Sequence, residues 1–298
     1  TIYGEEDDKR YVTETRLHKM LNREIMLLEN RIPKKNHPNK MFFAYANTVA
    51  TIDFAKKFKG HGWMGIRYQP APEEPYNEIM LHVRFNQSEA RLQQEAIGIM
   101  GVNLVHGAFY SHDEPKKLLK YLYDHIDRSA IEIDTINFSG PLFESIDNRI
   151  LSLQLVKNGM TEAVMFNPEG NNVLPARALY KKNILVLRGS FRPVTKVNID
   201  MFEKSFDIFI KEQHVKEKNT EVIFEITLSN LTAQGEIDES DFMDRAKLLG
   251  SLGHTVMISD FKEYYRMVDY LSKYTKEQLG LAMGVSNFVE IFDEQYYE

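Results

Sequence analysis

The sequence predicts an α/β protein in two parts. An α+β part with an antiparallel hairpin spans residues 1–170, and a Rossmann-like α/β part with a mostly parallel sheet spans residues 171–298. Residues 79–85 alternate between apolar and polar side chains, which is typical of a half-buried antiparallel strand. After residue 171, short and continuously apolar segments alternate with helix-like segments, which is typical of a parallel sheet covered on both faces.

The first part begins with a helix predicted over about residues 9–30, because Leu17, Leu21, Ile25 and Leu28 recur at helical spacing. A loop rich in proline joins two strand-like segments and predicts the hairpin. Gly159 is expected to end a helix in the left-handed conformation. The predicted strands are residues 41–46, 63–68, 79–85, 102–109, 131–138 and 162–166, and the later helices are 87–99, 114–127 and 145–158.

The turn-rich segment 167–175 is the expected domain boundary. Beyond it we predict strands at residues 184–187, 222–228, 255–259 and 279–284, alternating with helices at 198–213, 239–250 and 261–273 and followed by a final helix. The number of strands in the whole chain is close to eight or nine. A single βα-barrel enzyme is therefore an alternative to two domains.

The composition excludes several classes of protein. The 298 residues include no cysteine, which excludes disulfide scaffolds, cysteine-ligated metals and a cysteine nucleophile. The net charge of −6 argues against nucleic acid as a partner, and no apolar run approaches the roughly 18–20 residues of a membrane span. The acidic opening is unlike a signal peptide, so we expect a cytoplasmic protein without a membrane partner. The nine histidines show no ligand spacing that would predict a metal site.

The turn after the first strand of the second part, hereafter the 188–198 turn, is the best candidate site. A glycine after a buried strand lets a ligand approach the backbone, and the start of the next helix presents unpaired N–H groups to an anion. The predicted phosphate- or nucleotide-binding residues are Arg188, Gly189, Ser190, Arg192, Thr195, Lys196 and Asn198. The alternative is an ordinary strand-to-helix turn in which Thr195 or Asn198 caps the helix.

Six residues of this turn match the signature of a known enzyme family: Gly189, Ser190, Phe191, Pro193, Val194 and Thr195. They resemble the signature turn of adenylyltransferase-type nucleotidyltransferases, which reads approximately G-S-F-D-P-V-T-x-G-H. The resemblance implies that the turn and its helix hold a nucleotide triphosphate, with Mg²⁺ supplied together with the nucleotide if the chain is catalytic. The chain has Arg192 in place of the aspartate of the signature, and Val197 and Asn198 in place of Gly-His.

Most of the chain also resembles an uncharacterised bacterial protein family, through residues 61–67, 94–104, 147–149 and 188–195. Members of that family tend to be longer, which implies a truncated C-terminus. The function predicted from the turn and its resemblance to nucleotidyltransferases is nucleotide or phosphate-ligand binding, with nucleotidyl transfer as the implied activity. The alternative is a non-catalytic binding or assembly protein that retains the fold, and a homo-oligomer is compatible with either function.

Two further groups of polar residues are candidates for ligand binding. Other strand ends would place Ser229, Asn230, Ser259, Asp260, Ser286 and Asn287 on the same rim as the turn. For Asp260, capping the helix near Phe261 is the alternative. In the first part, Arg67, His82 and Arg84 form a possible anion site on one sheet face, or else ion pairs with Glu73, Glu74 and Glu95. Glu132 and Asp134 predict a surface ledge.

Overall fold

The computed structural model describes residues 11–32, 34–56, 59–233 and 235–292. The chain divides into two units, Thr1–Thr161 and Glu162–Glu298. The expected boundary at residues 170 and 171 therefore lies inside the second unit. The reason is that the strand predicted at residues 162–166 pairs with a strand of the second sheet. The turn-rich segment 167–175 is consequently a connection within that unit.

The first unit is a four-stranded antiparallel sheet with four helices in its described part, which confirms the predicted hairpin. The strands are β1 (Phe43–Ala50), β2 (His61–Tyr68), β3 (Asn77–Phe85) and β4 (Ile131–Ser139), in spatial order β1-β2-β3-β4. The helices are α1 (Glu14–Arg31), α2 (Ala90–Tyr110), α3 (Pro115–Tyr121) and α4 (Asn148–Lys157). The first helix begins where Thr13 accepts a hydrogen bond from the Arg16 backbone N–H at 3.2 Å. Residues 9 and 10 of the predicted helix lie outside the described residues.

The strand predicted at residues 102–109 is wrong, because α2 continues without a break to Tyr110. Gly98, Gly101 and Gly107 interrupt the apolar pattern of this segment. Because glycines often end helices and strands, the pattern predicts two short elements in place of one long helix. At two of these glycines, the missing side chain lets another residue pack closely against the helix. A Cβ on Gly101 would clash with the hydroxyl of Tyr45, and one on Gly107 would lie 3.0 Å from Leu118. Close packing of the helix therefore outweighed its low local propensity.

Strand β3 is buried on both faces, although its alternating pattern predicts one exposed face. Gly65 and Tyr45 belong to opposite faces of the sheet, since Tyr45 pairs with Ile66 across β1 and β2. Leu17 of α1 lies against Gly65, and α2 lies against Tyr45. Both faces are thus covered by helices, and the polar residues of β3 are in a largely enclosed environment.

The second unit is a six-stranded, mostly parallel sheet with helices between its strands, as predicted. The strands are β5 (Ala163–Phe166), β6 (Asn172–Val173), β7 (Asn183–Arg188), β8 (Thr220–Thr227), β9 (Thr255–Ser259) and β10 (Leu279–Ala282). The helices are α5 (Pro175–Ala178), α6 (Lys196–Phe209), α7 (Leu228–Thr232), α8 (Glu239–Ser251), α9 (Tyr264–Ser272) and α10 (Val285–Ile291).

The strand order of this sheet is β10-β7-β8-β9-β5-β6. Strands β10, β7, β8 and β9 are parallel, whereas β5 and β6 extend the sheet in antiparallel pairs. The chain leaves β7 toward β8 on one side and returns to β10 on the other, so the order reverses between β7 and β10. In open α/β sheets, ligands bind beyond the carboxyl ends of the strands at such a reversal.

The barrel alternative is wrong, because the described strands form two separate open sheets. None of the helices in the described residues combines the length and the apolar character that crossing a bilayer requires.

Candidate functional site

The carboxyl edge of the second sheet brings together the residues predicted for the rim. Arg188 ends β7, Ser259 ends β9, and Asp260 follows it. Ser229 and Asn230 lie in α7 directly after β8, and Ser286 and Asn287 lie in α10 after β10. Because β10, β7, β8 and β9 are parallel, these residues all lie at one edge.

Arg188 forms a two-pronged ion pair with a residue that the sequence analysis missed. Its Nε and Nη2 atoms donate to the two carboxylate oxygens of Glu225 at 2.7 and 3.0 Å. Its Nη1 atom donates to the carbonyl of Lys262 at 3.1 Å, and its guanidinium lies 4.4 Å from the centre of the Tyr264 ring. Arg188 is therefore the counter-ion of Glu225 in this structure, and its predicted role as a phosphate ligand stays a prediction.

Glu225 is fully buried and connects three neighbouring strands. The hydroxyl of Ser259 donates to its Oε1 atom at 2.5 Å. On the other side, the Asn287 amide donates to the Tyr264 hydroxyl at 2.9 Å. Side chains of β7, β8, β9, α9 and α10 thus form one polar network. The only signal in the sequence is that Glu225 is the one carboxylate within the otherwise apolar segment 222–226 of β8.

The first half of the 188–198 turn is shaped by the packing of Phe191. This residue has a φ of +47°, and its side chain is buried against Phe224 with the ring centres 5.4 Å apart. A Cβ on Gly189 would lie 3.0 Å from the Phe191 ring, so the glycine makes room for this ring. Below the turn, Arg245 donates to the carbonyl of Ser190 at 2.9 Å. The turn therefore has a fixed shape before any ligand binds.

Both basic residues in the rest of the turn are exposed, and one of them forms an ion pair. Nε of Arg192 lies 3.1 Å from Asp241, which also contacts Arg245. The Lys196 side chain is exposed at the first position of α6, and Ser190 is exposed as well. Lys196 and Ser190 are therefore the predicted binding residues best able to contact a ligand.

Thr195 and Asn198 have the capping role that the alternative interpretation gave them. The Asn198 side-chain oxygen accepts from the backbone N–H and the hydroxyl of Thr195, both at 2.8 Å. In return, Thr195 accepts from the Asn198 backbone N–H at 3.3 Å. This is a capping box, and Thr227 and Asn230 form the same arrangement at α7.

Substituting Thr195→Ala should lower the free energy of unfolding by about 1 kcal/mol, because the cap of α6 loses its hydroxyl. Thr195→Ser, which keeps the hydroxyl, is the matched control and should stay near the wild type. Urea unfolding followed by circular dichroism measures both. An alanine variant as stable as the serine variant would contradict the capping role.

Asp260 does not cap a helix. Helix α9 begins at Tyr264 with Glu263 at its N-cap position, so the expected cap is wrong. Asp260 is exposed, and its backbone N–H donates to the carbonyl of Glu162 at 3.0 Å. The reason is that three residues, 261–263, lie between Asp260 and the first residue of the helix.

In the first unit, Arg67, His82 and Arg84 share one sheet face but do not form one site. Arg67 is paired with the buried Glu78, which also lies 3.0 Å from His18. Glu78, which lies opposite Arg67, is six residues from Arg84 on β3. This separation along the strand corresponds to roughly 20 Å. The arginines therefore cannot grip one small anion together.

His82 has partners that the sequence analysis did not anticipate. Its Nδ1 lies 2.6 Å from a carboxylate oxygen of Asp134, and its Nε2 lies 3.0 Å from Nδ1 of His61. Asp134 is buried, so the predicted surface ledge is wrong at this position. A register shift opposite His82 and Val83 gives β4 an extra residue and brings Asp134 to His82.

Two concave regions of the described residues lie elsewhere. One, of about 410 Å³, is at the opposite edge of the second sheet and is lined by Phe202, Glu217 and His254. The other, of about 480 Å³, lies between β1 and α2 and is lined by Tyr45, Val102 and Phe109. The 188–198 turn is instead an open surface, which suits a charged group better than an apolar ligand.

Comparisons with known proteins add no family to this geometry: no family model matches the chain, and no curated protein or solved structure matches it significantly.

Proposed function

We propose that the second unit binds a phosphate-bearing ligand of the nucleotide class at the 188–198 turn. The observation that carries this proposal is the position of the turn. It follows β7 at the carboxyl edge, next to the reversal of strand order between β7 and β10. In sheets of this topology, this position binds phosphate through the first turn of the following helix.

Lys196, Ser190 and the first backbone N–H groups of α6 would contact the phosphate. Lys196 is exposed at the positive end of the helix dipole, so its charge and the dipole act on the same anion. Arg188 and Arg192 act as positioning residues, because Glu225 and Asp241 hold them in place. Mg²⁺ would accompany a nucleotide.

Nucleotidyl transfer is the reaction that the resemblance implies for this site. Asn198 stands where the signature has a histidine, and its side-chain oxygen is engaged by Thr195. It supplies no positive charge to a transferring phosphoryl group. Ligand binding is therefore the function that we propose first, and transfer is tested separately by release of pyrophosphate.

Calorimetric titration with ATP, nicotinate mononucleotide and pyrophosphate tests the binding proposal. Lys196→Glu should weaken the affinity by about tenfold or more, since a hydrogen bond to a charged group contributes about 1.5–3 kcal/mol. Lys218→Glu is the matched control, because it makes the same charge change at the opposite edge of the sheet. No heat with any ligand, or equal losses in both variants, would contradict the proposal.

A second candidate function is assembly with a second copy of the chain. The feature that supports it is an exposed apolar face of helix α10. Val285, Phe288, Val289 and the following Phe292 are exposed by 80%, 54%, 62% and 70%. Their spacing of three, one and three residues places them on one face of the helix. An exposed apolar face of this kind is typical of an interface.

Sedimentation of the full chain tests the assembly candidate. The wild type should form a dimer that Phe288→Ser combined with Val289→Ser converts to a monomer. Ile208→Ser, which changes an equally exposed side chain on α6, should leave the dimer intact. A monomeric wild type would contradict this candidate.

A further inference from the structure

Three side chains of the first unit form a continuous chain of hydrogen bonds on one face of the sheet. Asp134 and His82 are buried, with 6% and 4% of their surface exposed, and their closest atoms are 2.6 Å apart. His61 is half-buried and follows His82 at 3.0 Å. The Trp63 ring lies 5.1 Å from the His82 ring. The chain thus leads from an enclosed carboxylate to a partly accessible imidazole.

The direction of each hydrogen bond follows from the carboxylate at the inner end. An ionised Asp134 can only accept, so Nδ1 of His82 carries a proton and donates to it. When His82 is neutral, its Nε2 has a lone pair, and Nδ1 of His61 donates to it. A neutral His61 therefore keeps its proton on Nδ1 and has a lone pair on Nε2.

We propose that Asp134, His82 and His61 form a proton relay in which His61 Nε2 is a general base toward the O–H group of water or of a hydroxyl-bearing ligand. The base accepts the proton at Nε2 and passes its Nδ1 proton to Nε2 of His82. The positive charge then rests on His82, beside the Asp134 carboxylate. The three side chains together gain only the one proton that Nε2 of His61 accepts.

The charges around His61 favour this inward transfer. Burial lowers the pKa of His61 to about 4, assisted by His82 and Arg84 and opposed by Asp134. Arg84 lies directly opposite His61 across β2 and β3, and Glu132 lies opposite Arg84 across β3 and β4. His61 is consequently neutral at pH 7 and does not retain an added proton, whereas His82 has a carboxylate beside it.

Hydrolysis of p-nitrophenyl acetate by the full chain tests the relay. His61 takes a proton from water, the water oxygen adds to the ester carbonyl, and p-nitrophenolate leaves as acetate forms. The accepted proton returns to the solvent afterwards. The wild type should exceed the buffer rate, and His61→Gln should reduce that excess by about tenfold or more.

Two further variants separate the relay from a surface histidine. Asp134→Asn keeps the side-chain volume and removes the charge, and it should also lower the excess rate by about tenfold or more. His18→Gln is the matched control, because His18 also faces a carboxylate, that of Glu78, but has no second histidine beyond it. The rate of this control should equal that of the wild type.

The tautomers of the wild-type protein provide a test that does not depend on the folding of variants. Nitrogen-15 NMR at pH 7 should show a protonated Nδ1 and an unprotonated Nε2 for both His61 and His82. A proton on Nε2 of His61 would overturn the proposal. A wild-type rate equal to the buffer rate, or one that survives His61→Gln, would overturn it as well.

Discussion

Glu225→Ala should destabilise the second unit by about 3–5 kcal/mol, which is the usual cost of removing one partner of a buried ion pair. Glu225 is fully buried, and the side chain of its partner Arg188 is 9% exposed. The substitution leaves the guanidinium without a counter-ion in a place that water reaches poorly. It also leaves the hydroxyl of Ser259 without its acceptor. Urea unfolding of the full chain measures the loss.

Two other variants show whether burial is the cause. Glu162→Gln removes a carboxylate that contacts Arg266 and Lys273 at 3.2 and 3.5 Å but is 44% exposed, so it should cost less than about 1 kcal/mol. Arg188→Met combined with Glu225→Leu removes both charges and should be less destabilising than Glu225→Ala alone. If Glu225→Ala costs no more than Glu162→Gln, the network does not stabilise the unit.

The four parallel strands of the second unit follow from the sequence because their periodicity is local, whereas the short elements β6, α5 and α7 were not predicted. Strand β9 has the bounds predicted for it, residues 255–259, and the parallel sheet follows from apolar strands that alternate with helices. The prediction divided helix α2 wrongly, since its glycines serve contacts with Tyr45 and Leu118, which lie outside the helix. Local pattern thus predicts the type of an element better than its continuity.

The polar contacts of Glu225 and of Asp134 depend on how the strands pair. Strand pairing cannot be read from a single sequence. Glu225 meets Arg188 because β7 and β8 are parallel with a particular register. Asp134 meets His82 because a bulge shifts β4 by one residue. In both cases the residue whose role was not predicted is a buried carboxylate within a strand. Such a residue needs a partner, and the identity of that partner follows only from the register.

The resemblance of the 188–198 turn to the nucleotidyltransferase signature has a structural component. Gly189 makes room for the Phe191 ring, Phe191 fills the core beside Phe224, and Thr195 caps α6. Three of the matched residues therefore have roles in folding that require no ligand. Among the matched residues, Ser190 is the exposed hydroxyl that could contact a phosphate directly.

Phe191→Ala should consequently affect both stability and binding. The side chain is 3% exposed, so its removal should lower the free energy of unfolding by about 3–5 kcal/mol. Ile208→Ala, at a residue that is 64% exposed, is the control and should change it by less than about 0.5 kcal/mol. The substitution also removes the ring that packs the turn against Phe224, while Ser190 and Lys196 are unchanged. The affinity for pyrophosphate should therefore fall, even at temperatures where the variant is folded. An unchanged affinity would mean that the turn does not hold the ligand, and an unchanged stability would mean that Phe191 does not hold the turn.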